Sequence, residues 1–156
     1  MSARPRRVVL IVEDGTEYRD AFRRLSSEGA AVDWLHAPDA AAARRLLAER
    51  QVDAVFVDVV FDRTPEEALV GDREALAARY SGDRGRALAY LASHQGFYVA
   101  AALAPAIPPG VPVLLAYDFT GDPARLAAIR ESIPALEGVE EGASASRLVD
   151  RLLGKS

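Results

Sequence analysis

The chain has 156 residues, half of them apolar, which is enough for one domain with a sizeable core and no covalent staples. It has no cysteine, which excludes disulfides, thiolate zinc sites and cysteine nucleophiles and suits a reducing cytoplasm. A net charge of −4, with positive charge clustered only at Arg4, Arg6 and Arg7, argues against nucleic-acid binding and reads that arm as a solvated tail.

Arg7 to Val12 is a nearly uninterrupted β-branched and leucine run, as expected of a strand covered on both faces. Glu13 and Asp14 end it too soon for a signal-peptide core or a membrane span. From Thr16 to Ser27, Tyr18, Ala21, Phe22 and Leu25 recur at helical spacing, and Gly29 ends the segment. Ala31 to His36 predicts a short second strand in which Trp34 serves as core or strand-edge packing. Pro38 and Asp39 then open an alanine-rich helix through Glu49.

Asp53 to Val60 is the most apolar strand of the chain. The roughly twenty residues from Asp62 to Gly82 that follow are longer than a structureless loop should be. Pro65, Glu66 and Glu67 resemble a first helical turn, and Ala68, Leu69, Leu76 and Tyr80 supply a partial apolar face, so an extra helix is expected there. One helix from Arg84 to Leu103 comes next, stopped by Pro105, Pro108, Pro109 and Gly110. His94, Gln95, Phe97 and Tyr98 on it invite a ligand-site reading, but a histidine without partners nearby in sequence reads as packed or solvated rather than catalytic. Val111 to Tyr117 is the fourth strand, and Pro123 starts a short helix to Glu131. Ala135 to Glu140 is a weak fifth strand, and Ser144 caps a final helix from Ala145 to Leu153.

Five strands alternating with helices predict a single α/β domain over residues 1–156, interrupted by an insertion at about 62–83. The expected architecture is a doubly wound parallel sheet of flavodoxin-like order 2-1-3-4-5. Function then collects at the carboxyl ends of the strands, where Glu13, Asp14, Asp58, Tyr117 and Asp118 fall.

The segment Val8-Val-Leu-Ile-Val-Glu-Asp14 is similar to the first strand of receiver domains of bacterial two-component response regulators. Asp53-Ala-Val-Phe-Val-Asp58 resembles their third strand, Pro112-Val-Leu-Leu-Ala-Tyr117 their fourth, and Asp83-Arg-Gly-Arg-Ala-Leu88 the start of their third helix. The resemblance implies a CheY-like fold, Asp58 as phosphoacceptor, and a weak Mg2+ site made by Glu13, Asp14, Asp58 and the carbonyl of Val60. Oxygen ligands of this kind suit Mg2+, which keeps several waters and neutralises charge on a transferring phosphoryl group.

Two family features are missing. The serine or threonine expected after the fourth strand is Tyr117, and the lysine expected after the fifth is Glu141, followed by Gly142. The single lysine of the chain, Lys155, lies beyond the last helix. Arg63 is a candidate phosphoryl contact in its place, because its planar fork binds phosphate well.

A pseudo-receiver follows from the resemblance: a signalling domain working by protein contact rather than as an enzyme, with phosphorylation weakly coupled to output. Its expected partners are a histidine kinase, another signalling or output protein, or a second copy of itself, with neither nucleic acid nor a membrane involved. The chain ends soon after the last predicted helix, so output is expected through such a partner. An alternative is a Toprim-type Mg-dependent nuclease, resembled by Val12-Glu-Asp-Gly-Thr-Glu17, although Asp58-Val-Val-Phe-Asp62 lacks Asp-x-Asp spacing. A flavodoxin-like ligand-binding module is a third reading, without the Ser/Thr-rich phosphate loop expected there.

Overall fold

The computed structural model describes residues 6–26 and 31–155. Five strands, β1 (Arg7–Val12), β2 (Val32–Ala37), β3 (Ala54–Val57), β4 (Val113–Leu115) and β5 (Leu136–Glu137), form one parallel sheet in the order β2-β1-β3-β4-β5. Seven α-helices lie among the described residues: α1 (Glu17–Leu25), α2 (Ala40–Glu49), α3 (Arg73–Arg79), α4 (Arg84–Ser93), α5 (Gln95–Leu103), α6 (Pro123–Arg130) and α7 (Ala145–Leu152). None of the described helices is long and apolar enough to cross a membrane.

The two-sided covering of the sheet explains the uninterrupted apolar runs, because in a strand successive side chains point to opposite faces. Val9, Ile11, Ala54 and Phe56 face α1 and α7, where Phe22, Leu148 and Leu152 complete the packing. Phe56 meets Phe22 edge to face at 5.2 Å between ring centres. Leu10, Val12, Val55 and Val57 face the other way, onto a cluster that includes Ala43, Leu91, Val99 and Leu103. Trp34, on the edge strand, packs against Phe22 and donates its indole N–H to Ser26 Oγ at 2.7 Å, so it is anchored at both its apolar and its polar end.

Helix starts follow local chemistry. Asp39, Asp72, Asp83, Asp122 and Ser144 each accept a backbone N–H in the first turn of the helix they precede, satisfying a donor with no partner inside the helix. The 62–83 insertion does contain helix, in the form of a 3-10 turn at Glu66–Ala68 and then α3, which packs on α4 through buried Leu76.

Three expectations need correction. The helix foreseen from Arg84 to Leu103 is two helices, with His94 ending α4 and preceding α5. Its cause is a close approach: a Cβ on Gly96 would lie 2.2 Å from the Asp58 carbonyl oxygen, and the freed backbone groups bind the segment after β3. β5 is only two residues long, shorter than foreseen, and the ladder of β3 ends at Val57. The basic arm is not wholly a solvated tail, since Arg6 pairs with Asp33 at 2.9 Å and Arg7 begins β1. Arg4, Ser27 and Gly29 lie outside the described residues.

Candidate functional site

Register decides which side chains meet. Val12 pairs with Val57, and Val57 with Leu115, so the residues that follow the three central strands leave the sheet side by side at its carboxyl edge. Those residues are Glu13 and Asp14, Asp58, and Ala116 and Tyr117. Asp58 stays tied to β1 through its own N–H, which donates to the Val12 carbonyl at 2.9 Å.

The segment after Asp58 leaves the sheet and docks into the break between α4 and α5. Gly96 N–H donates to the Val59 carbonyl at 2.9 Å, and Phe61 N–H donates to the Ala92 carbonyl at 2.8 Å. Val59 N–H in turn donates to Asp58 Oδ1 at 2.8 Å. Beside this junction the buried side chain of Gln95 clamps the insertion: its Oε1 accepts Val70 N–H at 2.8 Å, and its Nε2 donates to the Val70 carbonyl at 2.9 Å. The Asp58 loop, the helix break and the insertion therefore form one hydrogen-bonded unit.

Burial pushes the Asp58 carboxyl up to about 6, and the negative charges of Glu13, Asp14 and Glu17 add to the shift against the Val59 hydrogen bond. Tyr18 lies in the same environment, its ring 4.7 Å from that of Phe56. Its phenol is pushed up by burial first and then by the charges of Asp58 and Glu13.

The three acids of the β1–α1 turn are differently engaged. Glu13 is buried, and its two oxygens accept the N–H groups of Tyr18 and Arg19 at 3.1 and 2.9 Å, so it serves the exposed amides at the start of α1. Asp14 Oδ2 accepts the Arg63 N–H at 2.7 Å, with the Arg63 guanidinium 3.8 Å from Oδ1. Glu17 Oε1 lies 2.9 Å from the same guanidinium. The carboxyl of Glu17 is lowered by its own backbone N–H and then by Arg63. Among the described residues no group of three or more acidic or histidine side chains is gathered so as to hold a metal ion between them. Val60, whose carbonyl was a candidate ligand, is an exposed residue in the loop beyond Asp58.

Tyr117, expected at the switch position, does not stand open. Its ring packs edge to face against Phe97 and Phe119, both at 4.9 Å between centres. Asp118 next to it fastens the loops after β4 and β5 together, accepting Thr120 N–H and hydroxyl at 2.9 and 2.5 Å and Glu141 N–H at 2.9 Å. Glu141 therefore reaches this corner through its backbone. Lys155 lies at the far end of the sheet, since the preceding Gly154 borders Arg7 at the start of β1.

Sequence reasoning passed over Glu17, Tyr18 and Gly96. Glu17 was read only as part of the Toprim-like segment and Tyr18 only as the apolar face of a helix, and a glycine inside an apolar helical pattern was the available signal for the third.

No family model matches the chain, and no curated protein resembles it in sequence. Solved structures do resemble it. The receiver domain of NtrX from Brucella abortus superposes with a TM-score of 0.57 at 18% identity, covering 95% of this chain and 99% of that one. The signal receiver domain of an HD domain-containing protein from Pseudomonas fluorescens Pf-5 gives 0.61 at 16%, covering 99% and 89%. A response regulator receiver protein from Pseudomonas putida gives 0.59 at 14%, covering 99% and 100%. At such identities a likeness speaks for the fold, and the fold of this chain is that of the response-regulator receiver domain.

Proposed function

We propose that this chain is a cytoplasmic receiver-type signalling domain that acts by contact with other proteins and whose contacts depend little on phosphorylation. The observation that carries the reading is the pairing of a nucleophile-ready Asp58 with a filled switch corner, in which Tyr117 is packed between Phe97 and Phe119. A histidine kinase or another signalling or output protein is the class of partner, and a second copy of the chain is the other.

Asp58 is equipped for acyl-phosphate formation. Its Oδ1 is held by Val59 N–H, and among the described residues no donor reaches Oδ2. Above a pH of about 6 the carboxylate is ionised and carries the electron pair needed for attack. Oδ2 would form a bond to the phosphorus of a phosphohistidine or acetyl phosphate. The phosphorus–nitrogen or phosphorus–oxygen bond breaks, and the leaving group departs with the electron pair of that broken bond and takes up a proton if its basicity requires one.

Mg2+, when bound, would neutralise charge on the transferring group. Asp14, Asp58 and the Val60 carbonyl are the oxygens suited to hold it, whereas Glu13 is committed to the amides of α1. The fit is partial, because Asp14 already serves Arg63, and binding is expected to be weak.

The product adds negative charge to a pocket already surrounded by Glu13, Asp14 and Glu17. At the position expected for the family lysine stands Glu141, whose backbone N–H is taken by Asp118. Arg63 is the candidate phosphoryl contact, though in this conformation its guanidinium serves Glu17 and Asp14. A ligand shifts an equilibrium only by its differential affinity for the two states, so a phosphoryl group without those two contacts transmits little.

Exposure to acetyl phosphate followed by intact-mass measurement tests the chemistry. The wild type should gain one phosphoryl group that Asp58→Asn does not gain. Equal labelling of both proteins, or of neither, would overturn the assignment of Asp58.

A further inference from the structure

The turn between β1 and α1 is built around a guanidinium. Arg63 enters from the opposite side, from the loop beyond β3, and is fastened twice: its N–H donates to Asp14 Oδ2 at 2.7 Å, and its Nη2 lies 2.9 Å from Glu17 Oε1. The second contact also brings Nη2 within 3.8 Å of Asp14 Oδ1. Between them sits Gly15, which is buried, and a Cβ there would lie 2.4 Å from Arg63 Nη2 and 2.1 Å from Glu17 Oε2. Any side chain at that position would displace the ion pair, so the missing Cβ is what lets Arg63 lie across the turn.

The charges then divide cleanly. Glu13 is held by two helix amides, and Asp14 and Glu17 share one guanidinium. Asp14 is also the carboxylate that a divalent cation in this pocket would use, and one oxygen cannot serve an inward-facing cation and a guanidinium at full strength. Mg2+ asks for near-ideal octahedral placement at short distances, so a ligand already oriented toward Arg63 has to be turned first.

We infer that Arg63 is a built-in counter-cation of the acidic pocket, a positioning residue that holds Asp14 and Glu17 and competes with divalent cations for them. This deepens the receiver-type reading of the pocket by assigning it a regulation, in which metal entry requires release of the Arg63 latch. In this conformation the residue acts through Asp14 and Glu17. Its side chain is half exposed, so the latch can open without unfolding anything around it.

The test is a titration of the full chain with Mg2+ alone, followed through backbone amide shifts of residues 13–18 and 58–63. Wild type, Arg63→Gln, Arg63→Lys and the double variant Arg63→Gln/Asp14→Asn are compared. Glutamine keeps the backbone N–H that Asp14 accepts, so the loop stays anchored while the charge is removed. Arg63→Gln should bind Mg2+ several-fold more tightly than wild type, Arg63→Lys should stay nearer to wild type, and the double variant should lose the gain. Equal or weaker binding by Arg63→Gln, including binding by neither protein, would overturn the inference, as would a gain that survives loss of Asp14. No phosphoryl donor enters the experiment, so failure of Asp58 as a phosphoacceptor would leave this result standing and is read separately by the mass measurement.

Discussion

Replacing Asp58 by asparagine should make the protein more stable at neutral pH. A free aspartate ionises at about 3.9, whereas burial and the charges of Glu13, Asp14 and Glu17 move Asp58 to about 6 in the folded chain. Between those two values the folded protein holds more protons than the unfolded chain. Stability contributed by the neutral carboxyl is therefore full below about pH 4, falls as pH rises, and is lost above about pH 6. The displacement corresponds to about 3 kcal/mol at most, and the partial exposure of the carboxyl reduces it to about 1–2 kcal/mol through solvent screening. Asparagine is nearly isosteric and keeps an oxygen for the Val59 N–H, so it removes the charge with little other change. Urea unfolding of both proteins should show the variant ahead by about 1–2 kcal/mol at about pH 7.5 and level with wild type at about pH 4. Equal stability at the higher pH, or a less stable variant, would refute the claim that this carboxylate is ionised against burial and like charge.

The junction beyond Asp58 gives further expectations. Gln95→Leu should cost about 1–3 kcal/mol, because it deprives both polar groups of Val70 of partners in a part-buried region, and amide exchange should accelerate across residues 66–80. A loss below about 0.5 kcal/mol would mean that the insertion is held without the clamp. Gly96→Ala should cost about 1–3 kcal/mol, with exchange rising at residues 58–61, since its Cβ meets backbone that cannot swing aside. Tyr117→Thr should destabilise by about 1–3 kcal/mol by removing two edge-to-face ring contacts, measured by thermal or urea unfolding.

Much of the architecture was legible because its signal is local. β1 and β3 are covered on both faces, and their uninterrupted apolar runs announce it; the capping side chains of Asp39, Asp83 and Ser144 sit where helix-start chemistry places them. The insertion betrayed itself by length and by an apolar face. β5 was poorly bounded because only Leu136 and Glu137 pair with β4, too short a stretch for periodicity to show. The break at His94 was barely legible: Gly96 was its one signal, and a weak one since a lone glycine is tolerated inside a helix, while it is the backbone of Val59 and Phe61, far away in sequence, that separates α4 from α5. Placement of Glu13, Asp14 and Asp58 at one sheet edge followed from strand order. Their engagements did not, since both the capping of α1 by Glu13 and the seat of Arg63 on Asp14 and Glu17 depend on tertiary distances.

The most direct test of the central claim is a comparison of backbone amide shifts with and without a beryllofluoride mimic of the phosphoryl group. Changes should be confined to the surroundings of Asp58 and the adjoining α4–α5 break, with little response across residues 117–141, and partner binding through that face should be almost unchanged in Asp58→Asn. Large changes across residues 117–141 on adding the mimic, abolished by Asp58→Asn, would show an intact switch and contradict the account.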